Sequence, residues 1–467
     1  MEQHYLTDKE IKTALSDYRR LVTAFDRQVA PDDIDGIKAA IKQHASTDSV
    51  ARDRFGLHPL VSALDTAVCI CDSFGADRNM CLAVILSAIS TDASETTLAQ
   101  KWGDDIAKMV RGLDKVRTLY SRSPSVESEN FRKLLLTFAE DIRVIIIMIV
   151  DRLRLMRAIN HHPAEKLVHD TANEVNYLYA PLAHRLGLYA IKSELEDMSL
   201  KYSNREIYTQ IAHELNQTKA KRDAYIADFI RPVKEKLEAE GLKFSIKGRT
   251  KSIYSIWNKM KKQHNTVEDI FDLFAIRIII DCPPEREKPE CWLAYSVVTD
   301  MYRPNPMRLK DWLSIPKSNG YESLHITVYG PEERWVEVQI RTRRMDTIAE
   351  KGLAAHWKYK GIKSEGSLDT WMNNVRDILE AGQHSPMELM RNFKMDVYSH
   401  EVFVFTPRGD LYKLPQGATL LDFAFNIHTR IGVQCVGGKV NGRNRKLNYK
   451  LESGDTAVSY THLRAHE

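Results

Sequence analysis

Two groups of residues in this chain could do chemistry. Lys251, Ser255 and Lys259 recur at i, i+4, i+8 behind Arg249, and Glu337, Gln339 and Arg341 alternate at i, i+2, i+4. Asp272 opens an almost unbroken apolar run, Phe271 to Ile280, and Lys317, Asn319, Tyr321 and His325 cluster within ten residues. A basic row, an aromatic ring among basic groups and two carboxylates are the parts needed to hold two nucleotides and Mg²⁺. That ion takes one or two carboxylates plus substrate phosphates, which Asp272 and Glu337 can supply. Bland readings stand beside this one: a lysine stripe is more often a solvated face, an aromatic more often core, and a lone His more often structural.

The elements that must carry these groups follow from periodicity. From Arg249 the chain reads as an amphipathic helix, with Ile253, Ile256, Trp257 and Met260 on one buried face. The Lys251-Ser255-Lys259 stripe then spans roughly 12 Å at about 1.5 Å per residue, a length that suits a triphosphate. Backbone N–H groups at the helix start would add to the anion site. Val336, Val338 and Ile340 alternate with Glu337, Gln339 and Arg341, the pattern of a strand with one polar face. The run Phe271 to Ile280 reads as a strand buried on both faces, so an Asp at its mouth needs a cation or donors. Asn319-Gly320 places Tyr321 on a loop, where an aromatic can serve as a ligand platform.

Five ordered motifs between Gly248 and Trp357 resemble the synthetase domain of the long RelA/SpoT-type stringent-response enzymes. They are Gly248-Arg-Thr-Lys-Ser-Ile-Tyr-Ser-Ile256, Phe271-Asp-Leu-Phe-Ala-Ile-Arg277, Pro316-Lys-Ser-Asn-Gly-Tyr-Glu-Ser-Leu-His325, Val336-Glu-Val-Gln-Ile-Arg-Thr342 and Ala349-Glu-Lys-Gly-Leu-Ala-Ala-His-Trp357. The resemblance implies that the ribose 3′-hydroxyl of GDP or GTP attacks the β-phosphate of ATP and AMP leaves. It assigns Arg249, Lys251, Ser255 and Lys259 to ATP, and Asp272 and Glu337 to Mg²⁺ and catalysis. Lys317, Asn319, Tyr321, His325, Gln339 and Arg341 would serve the acceptor nucleotide. Such a transfer relies on positioning and charge neutralisation more than on a nucleophilic side chain. Arg308-Leu309-Lys310-Asp311 follows the basic form of the family's bifunctional branch.

Upstream, the helical patterns resemble the family's HD-type hydrolase domain, which needs a His, a His-Asp pair and a distant Asp for Mn²⁺. His58 and Asp151 remain, but Ser87-Ala88 replaces the pair, Thr91 replaces an acidic residue, and Arg154-Leu155 replaces His-Asn. Two protein ligands do not make a transition-metal site. No Mn²⁺ is therefore expected there, and the domain reads as a retained fold that still influences the synthetase.

Beyond Trp357, helices are expected at Leu368 to Ala381 and Met387 to Phe393. Then comes strand–turn–strand over Glu401 to Leu414, Thr419 capping a helix to His428, and a hairpin at Asn441-Gly442. This order resembles the TGS module, which in the family contacts uncharged tRNA on the ribosome, with His428 at the matching position. The polar stretch Ser459 to Glu467 does not read as the closing strand of that module, so a truncated chain with a non-native tail is expected.

The fold class is thus multidomain α+β: a helical HD-type region over 1–200, a mixed α/β synthetase over 201–380, a linker over 381–400 and a β-grasp TGS module over 401–460. The 467 residues have room for these domains, and the net charge of +4 is mildly basic. Six cysteines form no CxxC pair, and no apolar run is long enough for a membrane helix, which together read as cytoplasmic. Oligomeric state is not readable. Three functions compete: a synthetase with an inert hydrolase fold, a hydrolase or bifunctional enzyme, and a non-catalytic tRNA- and ribosome-binding sensor. The Asp272 and Glu337 carboxylates favour the first.

Overall fold

A computed structural model of the chain describes residues 6–25, 31–45, 51–89, 94–122, 141–249, 251–263, 275–314, 316, 321–351, 401–406, 411–415, 417–452 and 455–460. Two compact units divide it, residues 1–389 and 390–467. The helices expected over 368–381 and 387–393 lie outside the described residues.

The first unit begins with helices α1 (Asp8–Phe25), α2 (Pro31–Ala45), α3 (Pro59–Phe74), α4 (Arg78–Ile89), α5 (Glu95–Trp102), α6 (Asp104–Arg122) and α7 (Ile142–Ala158). From Val144 to Val150 helix α7 is apolar on every side and each of these residues is buried, the behaviour of a central core segment. Asp141 caps it by accepting from the Arg143 N–H at 2.9 Å. The apolar faces of α3 and α4 close around it. Next come α8 (Glu165–Glu174), a π-helical turn Val175–Tyr179, α9 (Ala180–Arg185), α10 (Tyr189–Ser203), α11 (Arg205–Gln217) and α12 (Lys219–Ala239).

A five-stranded sheet follows, built from β1 (Phe244–Arg249), β2 (Ala275–Ile280), β3 (Lys310–Asp311), β4 (Leu324–Tyr329) and β5 (Trp335–Thr342) in the order β1-β2-β5-β4-β3. Only β2 and β5 run parallel. Helices α13 (Ile253–Gln263), α14 (Glu287–Met301) and α15 (Arg343–Lys351) interrupt the strands. One face of the sheet carries Ile276, Ile278, Ile280, Ile326, Val338 and Ile340, which bury against Phe229 and Val233 of α12 and Ala294 and Val298 of α14. Each such side chain contributes about 1.5–3 kcal/mol, so this layer fixes the sheet and leaves its other face for polar groups.

One expectation is corrected here. The chain is extended through Arg249 and turns helical only at Ile253, because residues 244–249 pair with β2 as an edge strand. Ala275–Ile280 forms the strand expected from the apolar run and is buried along almost its whole length; Phe271 to Phe274 lie outside the described residues.

The second unit pairs β6 (Glu401–Phe405) with β7 (Leu411–Pro415). Helices α16 (Leu420–Ile427) and α17 (Thr429–Val433) precede β8 (Gly437–Val440), β9 (Arg443–Arg445) and β10 (Ala457–Tyr460). Thr419 and Asp422 form a reciprocal capping box on α16. Asn441 and Gly442, at φ 52° and 77°, make the positive-φ turn that joins β8 to β9. A closing strand is present: β10 pairs antiparallel with β8. Its side chains after Ala457 are only half-buried, which is why the sequence shows no apolar alternation there.

Candidate active site

A polar row crosses the face of the sheet opposite the α12 and α14 layer. Strand register sets Lys247 opposite Arg277, Arg277 opposite Gln339, Gln339 opposite His325, and His325 opposite Lys310. In the next row Arg249, Ala275, Glu337 and Thr327 stand side by side. The period-2 alternation of β5 therefore does what its sequence implies, putting Glu337 and Gln339 together: Gln339 Nε2 donates to Glu337 Oε1 at 2.7 Å. His325 Nδ1 stands 3.5 Å from the same oxygen. Burial raises the pKa of Glu337, but the His325 contact, the Gln339 amide and the Lys251 charge outweigh it. The carboxyl is held far below the usual carboxylate range.

Tyr321 is not an open platform. Its ring is buried, in edge contact with Trp312 and Tyr189, each with centroids 5.6 Å away. Tyr321 Oη and His325 Nε2 are hydrogen-bonded at 2.8 Å. Trp312 also packs on His325 at 4.7 Å and carries Lys310 Nζ 5.5 Å above its ring. The basic loop motif thus reaches the same aromatic cluster. The adjacent Glu322 is fixed by Arg344 of α15, which donates to both its oxygens at 3.0 Å and also to Glu287.

Arg341 is likewise internal. It is 1% exposed, and its Nε donates to Asp346 at 2.8 Å with Glu350 alongside. Arg277 shares both carboxylates. Together the two arginines hold α15 on the sheet, a structural use that differs from the nucleotide contact expected for Arg341.

The basic row divides. Arg249 ends β1, opposite Ala275, while Lys251, Ser255 and Lys259 are half-buried on or just before α13. The expected apolar face is realised, since Ile253, Ile256, Trp257 and Met260 pack on Ile207, Ile211 and Leu215 of α11. The N-terminal N–H groups of α13 are already bonded, however. Ser252 Oγ accepts from Ser255 at 3.3 Å, and Asp197 Oδ1 of α10 accepts from Tyr254 at 2.8 Å. Asp272, Lys317 and Asn319 lie outside the described residues.

In the helical region Ser87, Ala88 and Asp151 line a cavity of about 560 Å³ together with Thr66, Arg117 and Arg154. Arg117 donates to Ser87 Oγ and to its carbonyl oxygen, both at 2.6 Å. Asp151 Oδ1 accepts from Arg154 and from Thr66, each at 3.2 Å. Burial raises the Asp151 pKa, yet Arg154 and Arg152 hold it below the ordinary value. His58 is buried and caps α3, its Nδ1 accepting from Leu60 at 3.2 Å. Thr91 lies outside the described residues. In the second unit His428 Nδ1 accepts from Arg430 at 3.1 Å, so the residue ends α16 and caps α17.

Trp312, Tyr189, Asp197 and Arg344 were not singled out by sequence reasoning. Trp312, next to Arg308–Asp311, and Arg344, two residues beyond the Val336–Thr342 motif, carried a local signal; Tyr189 and Asp197 join the site through the fold.

Comparisons with known proteins agree with this anatomy. A model described as "Region found in RelA / SpoT proteins" matches residues 248–364, an HD domain matches 39–189 and a TGS domain matches 402–457. A protein named GTP pyrophosphokinase from Myxococcus xanthus is 39% identical over 94% of this chain and 58% of its own length. One named guanosine-3′,5′-bis(diphosphate) 3′-pyrophosphohydrolase from Aquifex aeolicus is 36% identical over 90% of this chain and 59% of its own. A Vibrio cholerae protein of the same name is 37% identical over 78% of this chain and 52% of its own. The chain thus spans between half and three fifths of the length of these curated relatives. A helical HD domain, a mixed-sheet RelA/SpoT region and a TGS domain, in that order, define a multidomain α+β protein. The chain carries the RelA/SpoT region together with HD and TGS domains, and is similar to long RelA/SpoT proteins.

Proposed function

We propose that the chain is a cytoplasmic pyrophosphokinase that transfers the β,γ-diphosphate of ATP to the 3′-hydroxyl of GDP or GTP, releasing AMP and forming guanosine tetra- or pentaphosphate in the stringent response. The observation that carries this reading is Glu337: an ionised carboxylate on a polar sheet face, beside His325, Gln339 and Lys251. Lys251, Ser255 and Lys259, with Arg249, are assigned to the ATP phosphates. Lys317, Asn319, Tyr321, His325 and Gln339 are assigned to the acceptor, with Tyr321 stacking on guanine once its aromatic neighbours part.

Among the described residues no group of three or more His, Cys, Asp or Glu side chains could hold a metal. A Mg²⁺ ion shared between substrate phosphates and the oxygens of Glu337 and Asp272 fits this donor set. When bound it would neutralise phosphate charge. A carboxylate held as low as Glu337 is a weak base, so metal holding is its main role and acceptance of the 3′-hydroxyl proton the lesser one.

The helical region is proposed to lack hydrolysis. Ser87 engages Arg117, and Arg154 gives Asp151 a cation from the protein itself, which disfavours Mn²⁺ there. The hydrolase names of the Aquifex and Vibrio relatives favour a second reading, a bifunctional enzyme. Mn²⁺-dependent release of pyrophosphate from guanosine tetraphosphate would establish that reading and overturn ours. The TGS domain, with His428, is proposed to meet uncharged tRNA on the ribosome. Labelled ATP and GDP with Mg²⁺ should give AMP and guanosine tetraphosphate on a thin-layer plate; no product at any Mg²⁺ concentration would refute the synthetase.

A further inference from the structure

We infer that Asp197, on α10 of the helical region, is a positioning residue for the donor-nucleotide helix α13, holding that helix by its N-terminus. The inference rests on the pyrophosphokinase reading. Three observations converge on it. The apolar face of α13 packs on Ile207, Ile211 and Leu215 of α11, and none of its residues belongs to the cluster that glues the sheet to α12 and α14. The placement of α13 is therefore set by helices rather than by the sheet. At its N-terminus, Asp197 Oδ1 accepts the Tyr254 N–H at 2.8 Å, a carboxylate from another helix where a local cap would ordinarily serve. One residue supplies a second tie: Tyr254 Oη donates to Asn176 Oδ1 at 3.1 Å, on the π-helical turn Val175–Tyr179.

This arrangement has a chemical consequence. With Ser252 and Asp197 on its terminal N–H groups, α13 offers those donors to its own protein, and a triphosphate must be held by the side chains of Lys251, Ser255 and Lys259. Lys251 lies two residues ahead of the helix, and its charge reaches Glu337. A small rotation of α13 would move the phosphate-holding stripe and weaken the link between Lys251 and the catalytic carboxylate. The Asp197 carboxylate acts on the donor side, since it bonds Tyr254 of α13, whereas α10 meets the acceptor side through Tyr189, eight residues away on the same helix.

The test uses the full chain with Asp197→Ala and Asp197→Asn. The Ala variant should raise the KM for ATP roughly fivefold, the size of a lost helix cap, and leave the KM for GDP unchanged. The Asn variant keeps an oxygen acceptor and should restore most of the loss. Amide exchange at Tyr254 should quicken in the Ala variant and stay slow in the Asn variant. An unchanged ATP KM, an equal rise in both KM values, or failure of Asn to rescue would overturn the inference. If Ala does not fold, Asn176→Ala, which removes the second tie, should raise the ATP KM selectively, and an unchanged value would count against the idea. Absence of any synthesis by the unaltered protein would overturn the pyrophosphokinase reading instead, and Tyr254 exchange would still decide whether Asp197 caps the helix.

Discussion

Asp151 in the helical region and Glu337 in the sheet region are both carboxylates held below their ordinary pKa by neighbouring cations, yet their partners differ in origin. The cation on Asp151 is Arg154, one turn along the same helix, helped by the Thr66 hydroxyl from the adjacent α3. Glu337 is approached by His325 from β4, Gln339 from its own strand and Lys251 from the segment before α13. A partner one turn away is rigidly linked and stays with the carboxylate whatever binds. Partners from separate elements can rearrange around a ligand. The first environment is a finished ion pair lining a cavity; the second is a site whose charges can be redistributed by substrate and metal.

The sharpest way to break this contrast is to neutralise each carboxylate in turn. Glu337→Gln keeps shape and one hydrogen-bonding oxygen but removes the charge. Synthesis should fall below a tenth of wild type by AMP release, with nucleotide binding retained. Asp151→Asn should leave synthesis close to wild type. Comparable losses in the two variants would erase the distinction, and a Glu337→Gln enzyme running above a tenth of the normal rate would remove Glu337 from the chemistry.

The dependence of the sheet site on other elements is tested by Ile256→Ala. Ile256 is fully buried between α13 and α11, and its truncation should cost about 2–3 kcal/mol in urea unfolding, the low end for a core aliphatic because this cluster is small. The ATP KM should rise with it. Loss of stability with an untouched ATP KM would mean that α13 does not need its helical support.

These residues also show what the sequence could and could not disclose. The i, i+3, i+4, i+7 spacing of Ile253, Ile256, Trp257 and Met260 named the buried face of α13 correctly, and the alternation in β5 put Glu337 and Gln339 on one face. Local patterns sufficed because each involves neighbours on one element. The helix start was misplaced because strand pairing with β2 claimed Arg249, a tertiary demand that propensity does not carry. The ion pairs of Arg341 with Asp346 and Glu350 of α15 were not legible, because a strand's polar face says nothing of what covers it. Tyr189 and Asp197 had no signal at all, since they enter the site through the docking of α10, more than fifty residues from the motifs they touch.

The aromatic cluster gives a smaller effect. If Tyr321 leaves Tyr189 and Trp312 to stack on guanine, Tyr321→Ala should lose roughly 1–3 kcal/mol of base stacking, seen as a several-fold higher acceptor KM with the ATP KM unchanged. Tyr321→Phe keeps the ring and loses only the His325 hydrogen bond, so its acceptor KM should move less. A change confined to ATP would assign stacking to another residue, with Trp312 the nearest alternative.

The smallest expected effect is on stability against pH, and it returns to the two carboxylates. Each has a folded pKa below that of the unfolded chain, where Glu titrates near 4.3 and Asp near 3.9. The contribution of each is therefore present above those values and lost as pH falls toward the folded pKa, because the unfolded chain takes up the proton first. The shift is downward for both and large for Glu337. Wild-type unfolding free energy should accordingly drop between about pH 5 and pH 3. That drop should be shallower in Glu337→Gln and in Asp151→Asn. Urea titrations at a series of pH values measure both slopes. Identical slopes for wild type and Glu337→Gln would show that His325, Gln339 and Lys251 do not hold that carboxylate ionised, and the electrostatic basis of the proposed site would fall with it.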